Sequence, residues 1–350
     1  MQQITIKALA RELQLSVSTI SKALRDSHEI SEATKRRVLQ LAARLDYKPN
    51  PYASSLRGRK SRNIGIVIPE VADSFFSLAI NGIAAVAKEK GYHSIICLTH
   101  EDNKDEQAIL KDFQSGRVDG VLMSVSGTTE NGAHIRALMD HGVPVVLFDR
   151  VLPDVPAPKV VTDDAASAGN ATRLLLKNGC RQVAFLGLSP RLSISADRLS
   201  GYESALREAG HRPLAKNVLC CDADAHRNLL AIKRLLRRKD RPDGIVAAVE
   251  KLAPLVYQAC NELSLRIPQD VKVICFSNLE IAGMLQPSLS TVTQPAFEMG
   301  AKAAGLLIKL MAGKRVEMEV VVGSGIVGRG STGGSGKLPN RTFPNDTGSN

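Results

Sequence analysis

Val17, Ser18, Ser21 and Lys22 stand within one short stretch, LSVSTISKAL, long enough for about two helical turns. At roughly 100° per residue, Ser18, Ser21 and Lys22 point away from Ile20 and Ala23, with Val17 at the edge of that face. Hydroxyls and an ammonium can bond base edges in a DNA major groove, and a branched apolar side chain suits a thymine methyl. Val17 serves equally well as part of a small core. A second set of chemistry-bearing residues falls where apolar strands end. Asp73 and Phe76 follow NIGIVIP, Asp149 and Arg150 follow VVLF, and Arg198 precedes Gly201. Glu250 and Lys251 follow GIVAAV, and Ser277 and Asn278 follow VICF. Carboxylates, guanidinium forks and an amide beside an aromatic ring suit a compact polyhydroxylated molecule, because Arg can grip neighbouring oxygens bidentately. Any one of these charges could instead be a surface ion pair. For Asp149 and Arg198 a cleft position is favoured, for Glu250 both readings stay open, and Phe75 reads as core.

The first set needs a scaffold of short amphipathic helices. Ile6, Leu9, Ala10 and Leu13 form one apolar stripe behind Thr5, a good N-cap. Ser16 caps a second helix with Ile20, Ala23 and Leu24 inward. Ser31 caps a third with Val38, Leu41, Ala42 and Leu45 inward. Two short helices on a tight turn, braced by a third, make a helix-turn-helix. Charge agrees: residues 1–62 hold 13 Lys+Arg against 5 Asp+Glu, a net of +8 out of +11 for the whole chain. A localised basic domain attracts the phosphate backbone. Asn50 and Pro51 then start a helix of about two turns over 51–57. That is shorter than the ~12–15 residues an isolated helix needs, so it is expected to fold only on DNA. Residues 58–62 read as a basic linker.

The chain resembles the lactose/galactose repressor family of bacterial transcription regulators. The motifs are TIKALAREL, LSVSTISKAL, Ser31-Glu32-Ala33-Thr34, LDYKPNPYASSLR and NIGIVIP, and the likeness runs over nearly the whole chain. It implies that Val17, Ser18 and Lys22 read an operator's major groove. Thr5, Ser16, Ser21, Tyr47 and Asn50 join them in the DNA-contacting set. It also implies paired hinge helices in the minor groove, with Ala53 in contact and Leu56 as a wedge that kinks the duplex. Effector contacts carry over to Asp73, Phe76, Asp149, Arg150 and Arg198. Three places depart from the family pattern. Gln14 replaces the usual Gly at the turn, Val249-Glu250 replaces Asn-Asp, and Ser277-Asn278 replaces Asp-Asp. The last two flank the cleft, so an effector unlike that of the well-known members is expected.

From residue 63 short apolar strands alternate with helical stretches, the mark of parallel α/β sheets. The pattern repeats internally: NIGIVIP begins 119 residues before QVAFLGL, and Gly82 and Gly91 recur as Gly201 and Gly210 at the same offset. The expected fold is α/β: an all-α helix-turn-helix head (1–49), a hinge helix and linker (50–62), and a two-lobed, periplasmic-binding-protein-like core of doubly wound parallel sheets (63–332). Lobe 1 is expected at 63–162 plus 291–318 and lobe 2 at 163–290 plus 319–332, with LSTVTQP crossing back and its helix on the first lobe. Ligands of such sheets bind at the carboxyl ends of the strands. The tail, 333–350, reads as disordered.

Other features carry less. Gly323-Ser324-Gly325-Ile326-Val327-Gly328 matches a dinucleotide-binding pattern, but no helix follows it. Asn340-Arg341-Thr342 is a sequon without a secretory context. Six cysteines lack metal-ligand spacing, and Cys220-Cys221 reads as a strand end. No apolar run approaches the ~18 residues of a membrane span, and the N-terminus lacks an apolar signal core. The sequence therefore points to a cytoplasmic, nucleoid-associated homodimer on pseudo-palindromic double-stranded operator DNA, acting as a repressor under a small sugar-like effector. No cofactor, metal, catalytic set or membrane contact is expected. The alternatives are a sugar-binding transport receptor, an enzyme on the same scaffold and an effector-independent nucleoid-binding protein.

Overall fold

A computed structural model describes residues 5–24, 26–45, 47, 61–222 and 224–334. Asn50, Ala53 and Leu56, with the rest of the expected hinge helix, lie outside these residues, as does all of the tail beyond Gly334. The chain divides into two compact units, 1–61 and 62–350.

Among its described residues the first unit has three α-helices: α1 (Ile6–Leu13), α2 (Val17–Ala23) and α3 (Glu32–Arg44). Their N-caps are Thr5, Ser16 and Ser31, each accepting a backbone N–H three residues on. Leu9, Ile20, Val38 and Leu41 form the core, and Val17 and Tyr47 pack against it half-buried. Between α1 and α2, Gln14 sits at φ 54, ψ 38. Left-handed backbone costs a non-glycine residue about 1 kcal/mol, and Gln14 accepts it because its N–H closes α1 on the carbonyls of Ala10 and Arg11.

Among its described residues the second unit holds two six-stranded sheets. The first sheet contains β1 (Asn63–Ile68), β2 (His93–Leu98), β3 (Gly120–Met123), β4 (Val145–Phe148), β5 (Lys159–Thr162) and β11 (Glu319–Val322). Its order is β11-β5-β4-β3-β1-β2. The second contains β6 (Val183–Gly187), β7 (Val218–Cys220), β8 (Gly244–Ala247), β9 (Lys272–Phe276), β10 (Ser290–Thr293) and β12 (Gly325–Val327). Its order is β12-β10-β9-β8-β6-β7. All pairings are parallel except β10 with β12. The central strands are buried on both faces, as continuous apolar runs require.

Helices α4 (Ser74–Glu89), α5 (Asn103–Phe113), α6 (Ala133–Asp140) and α11 (Ala296–Met311) cover the first sheet. Helices α7 (Asp164–Lys177), α8 (Ser193–Glu208), α9 (Ala225–Leu236) and α10 (Leu252–Glu262) cover the second. The repeated glycines have a packing reason. A Cβ on Gly82 would lie 2.0 Å from the Phe297 carbonyl oxygen on α11, and one on Gly201 would lie 1.9 Å from that of Ala165 on α7. In each lobe a glycine lets two helix backbones touch.

Two strands change sides relative to the sequence expectation. The stretch from 291 is expected in the first lobe, but β10 (Ser290–Thr293) pairs with β9 in the second sheet. Residues 319–322 were assigned to the second lobe, but β11 pairs with β5 in the first. The chain thus crosses after β5, after β10 and after β11, while α11 packs against α4 on the first lobe. Both strands are short apolar runs, and only long-range pairing assigns them a sheet. The GxGxxG stretch is β12 with its flanks, and Ser324 donates its N–H to Asp163 at 2.7 Å.

Candidate functional site

In the core, the carboxyl ends of both sheets meet around a cavity of about 30 Å³, room for one or two waters. Asp73 caps α4, its carboxylate accepting the Phe75 N–H at 2.8 Å. The cap sets Phe75 and Phe76 edge to face at 5.4 Å on the cavity wall. Asp149 ends β4 in a left-handed turn, φ 59, and is buried. Burial pushes the carboxyls of Asp73 and Asp149 up to about 6, and Glu250 adds to the effect at Asp73. The nearby Arg150 and Arg198 restrain it at Asp149.

Both guanidiniums already have partners. Arg150 donates from one nitrogen to both Glu101 oxygens at 2.9 Å, while its Nε lies 3.9 Å from Asp149. Arg198, on α8, donates to Asp164 at 2.6 Å and to the Ala248 carbonyl, and lies 4.1 Å over the Phe276 ring. Glu250 joins the lobes. From the first lobe its carboxylate accepts the N–H and hydroxyl of Ser74, the first residue of α4. From the second it accepts the Ser277 hydroxyl at 2.8 Å and the Asn278 N–H at 3.0 Å. An anion at a helix N-terminus is favourably placed. Asn278 and Gln294 exchange hydrogen bonds beside it.

In the head, Ser18 is exposed on α2, and Ser21 and Lys22 are half-buried. Lys22 is ion-paired with Glu29, whose carboxyl it holds below the usual range. Lys35 is buried between Asp26 at 2.6 Å and Glu32 at 2.7 Å.

A model of bacterial regulatory proteins of the lacI family matches residues 5–50, and one of a periplasmic binding protein-like domain matches 172–332. The ribose operon repressor of Haemophilus influenzae is 30% identical over 305 residues, 87% of this chain and 91% of that protein. The chain belongs to the lacI family of bacterial regulatory proteins. Catabolite control protein A of Priestia megaterium is 28% identical over 319 residues, 91% of this chain and 96% of that one. A solved lacI-type regulator from Alkaliphilus metalliredigens, complexed with D-xylulofuranose, superposes with a TM-score of 0.68. It is 25% identical, and the match covers 77% of this chain and 98% of that one.

As a lacI-family member the chain is a DNA-binding transcription regulator: a helix-turn-helix head followed by a two-lobed core of periplasmic-binding-protein type. No helix among the described residues is long and apolar enough to cross a membrane. Asp73, Phe76, Asp149, Arg150, Arg198, Glu250 and Asn278 all line the same cavity, although hydrogen-bonded partners there lie as far apart in sequence as Ser74 and Glu250, separated by 176 residues. Phe75, read as core, packs in the core and lines the cavity as well. Ile194, Phe276 and Gln294 line it too and were not anticipated. Gln294 follows β10, and recognising it would have required knowing which sheet that strand joins. The ion pair of Lys22 with Glu29 was also missed, although a spacing of seven residues across a helix and a turn gave a weak signal.

Proposed function

We propose that this regulator is a repressor whose operator affinity is set by a small sugar-like effector bound between the lobes of the core. Val17, Ser18, Ser21 and Lys22 read the major groove. Thr5 and Ser16 hold the helix ends against phosphates, and Tyr47, Asn50, Ala53 and Leu56 carry the contact onward into the hinge. Asp73, Phe76, Asp149, Arg150, Arg198, Glu250 and Asn278 hold the effector. The domains are the head at 1–49, the hinge at 50–62 and the core at 63–332, with 290–293 in the second lobe and 319–322 in the first. Two copies, in the cytoplasm, bind a pseudo-palindrome whose half-sites match the twofold axis. No turnover is expected: the hydroxyls of Ser74 and Ser277 both donate to Glu250, a carboxylate that also holds the Ser74 and Asn278 N–H groups and so is occupied as a bridge between the lobes.

One observation carries this reading. Asp149 and Arg198, each at least 95% buried, line one cavity at the carboxyl ends of the two doubly wound sheets. Desolvating such groups is unfavourable unless they are used. Effector binding changes lobe closure, and a coupling of ~1–3 kcal/mol changes DNA affinity 5–150-fold. The runner-up, an effector-independent DNA-binding protein, draws support from the Glu250 bridge, which closes the cleft with the chain's own carboxylate.

The test pairs thermal-shift screening of the full chain against sugars, sugar phosphates and nucleosides with DNA-site selection, with and without each hit. A hit that changes operator affinity within the 5–150-fold range supports the proposal. A selected operator whose affinity no cleft ligand alters would favour the runner-up.

A further inference from the structure

The charges around the cavity do not balance. Arg150 is gripped by both oxygens of Glu101, and Arg198 is spent on Asp164, the Ala248 carbonyl and the Phe276 ring. The Glu250 carboxylate is filled by four donors. Two carboxylates remain. Asp149 is 5% exposed, lines the cavity and accepts no hydrogen bond from any described residue, with only the shared Arg150 Nε at 3.9 Å. Among the described residues, Asp73 uses its carboxylate only for the Phe75 N–H. The two repel one another, and burial pushes both up to about 6. One donor there, the Arg150 Nε, has no acceptor within hydrogen-bond reach, and it is too few for two carboxylates: the cavity is short of donors and of positive charge.

We propose that the effector carries a protonated amine as well as hydroxyls, with its ammonium seated against Asp73 and Asp149. This rests on the reading of the cleft as an effector site. An ammonium brings three donors and one charge to two under-satisfied carboxylates. A neutral polyol brings donors alone. A phosphate or carboxylate finds on the two guanidiniums only the buried Arg150 Nε without an acceptor, and meets Asp73, Asp149 and Glu250 with a further negative charge. The space for such a ligand comes from parting the Glu250 bridge, since the cavity holds only about 30 Å³.

The experiment uses the full chain at pH 7.5, by thermal shift and titration calorimetry. Amino-deoxy sugars of several configurations are each compared with the hydroxyl parent, the N-acetyl derivative and the 6-phosphate. At least one amine is expected to bind about tenfold tighter than its parent and its N-acetyl form, and Asp149→Asn is expected to abolish that preference. Asp73→Asn, which keeps a capping side chain, serves the same purpose if the first variant does not accumulate. A neutral parent that binds as tightly as its amine overturns the proposal alone, as does a phosphate that binds tighter. A panel in which nothing binds overturns it together with the effector reading.

Discussion

The two lobes are built to one plan but equipped differently. Each has six strands, and a glycine at the same offset presses two helices together. At the cleft the likeness ends. The first lobe opens its helix α4 with a bonded cap, Asp73, while α8 begins at Leu192 with no side-chain cap. The first lobe supplies Asp73 and Asp149, whereas the second supplies Arg198 and the bridging Glu250. Positions that pack recur because the sheet and helices demand them. Positions that face the cleft are free to diverge, and there each lobe carries its own chemistry.

The largest contrast expected is between the two arginines. Arg198→Met leaves Asp164, whose side chain is only 5% exposed, without its counter-charge. Breaking a buried pair from one side costs about 3–5 kcal/mol. Arg150→Met leaves Glu101, which is 23% exposed and keeps the Gly127 N–H at 2.6 Å, so about 1–2 kcal/mol is expected. Urea unfolding of the full chain would measure both. Equal losses would mean that the two guanidiniums hold the fold in the same way, and the asymmetry would fail.

A second pair tests the likeness rather than the difference. Gly82→Ala and Gly201→Ala each push a methyl to about 2 Å from a helix carbonyl oxygen, and backbone cannot swing aside as a side chain does. Each should lower stability by about 3 kcal/mol, and by similar amounts. If one substitution were silent, the helix contact in that lobe would be looser than in its counterpart.

These examples also show what could be read in the chain itself. Thr5, Ser16 and Ser31 were legible as caps because a cap and its helix lie within a few residues of each other. Gly82 and Gly201 were legible as a repeat, but their reason was not, since the facing carbonyls belong to Phe297 and Ala165. Asp149 could be placed at a strand end and Arg198 near the start of a helix, ahead of Gly201. Their state of pairing could not, because Arg150 meets Glu101 across 49 residues and Glu250 meets Ser74 across 176. The exchange of β10 and β11 between sheets was hidden for the same reason. Two apolar runs look alike until their neighbours are known.

The smallest effect concerns pH and separates the lobes once more, since the two carboxyls held at about 6 both belong to the first. Their native values lie above the ordinary 3.8, so between those values the native state binds more protons than the unfolded chain. Stability from these groups is therefore present at acid pH and is lost as pH rises from about 4 through 6. Outer carboxylates with lowered values, such as Asp154 and Asp224, act in the opposite sense at lower pH, so the total profile mixes the two. The difference between the protein and Asp149→Asn isolates one group. From about pH 4 to 8 the wild type should lose about 2 kcal/mol relative to the variant. Urea unfolding at a series of pH values reads this directly. A flat difference would mean that Asp149 titrates as an ordinary exposed carboxylate. The first lobe would then lack the unmet negative charge that distinguishes it from the second.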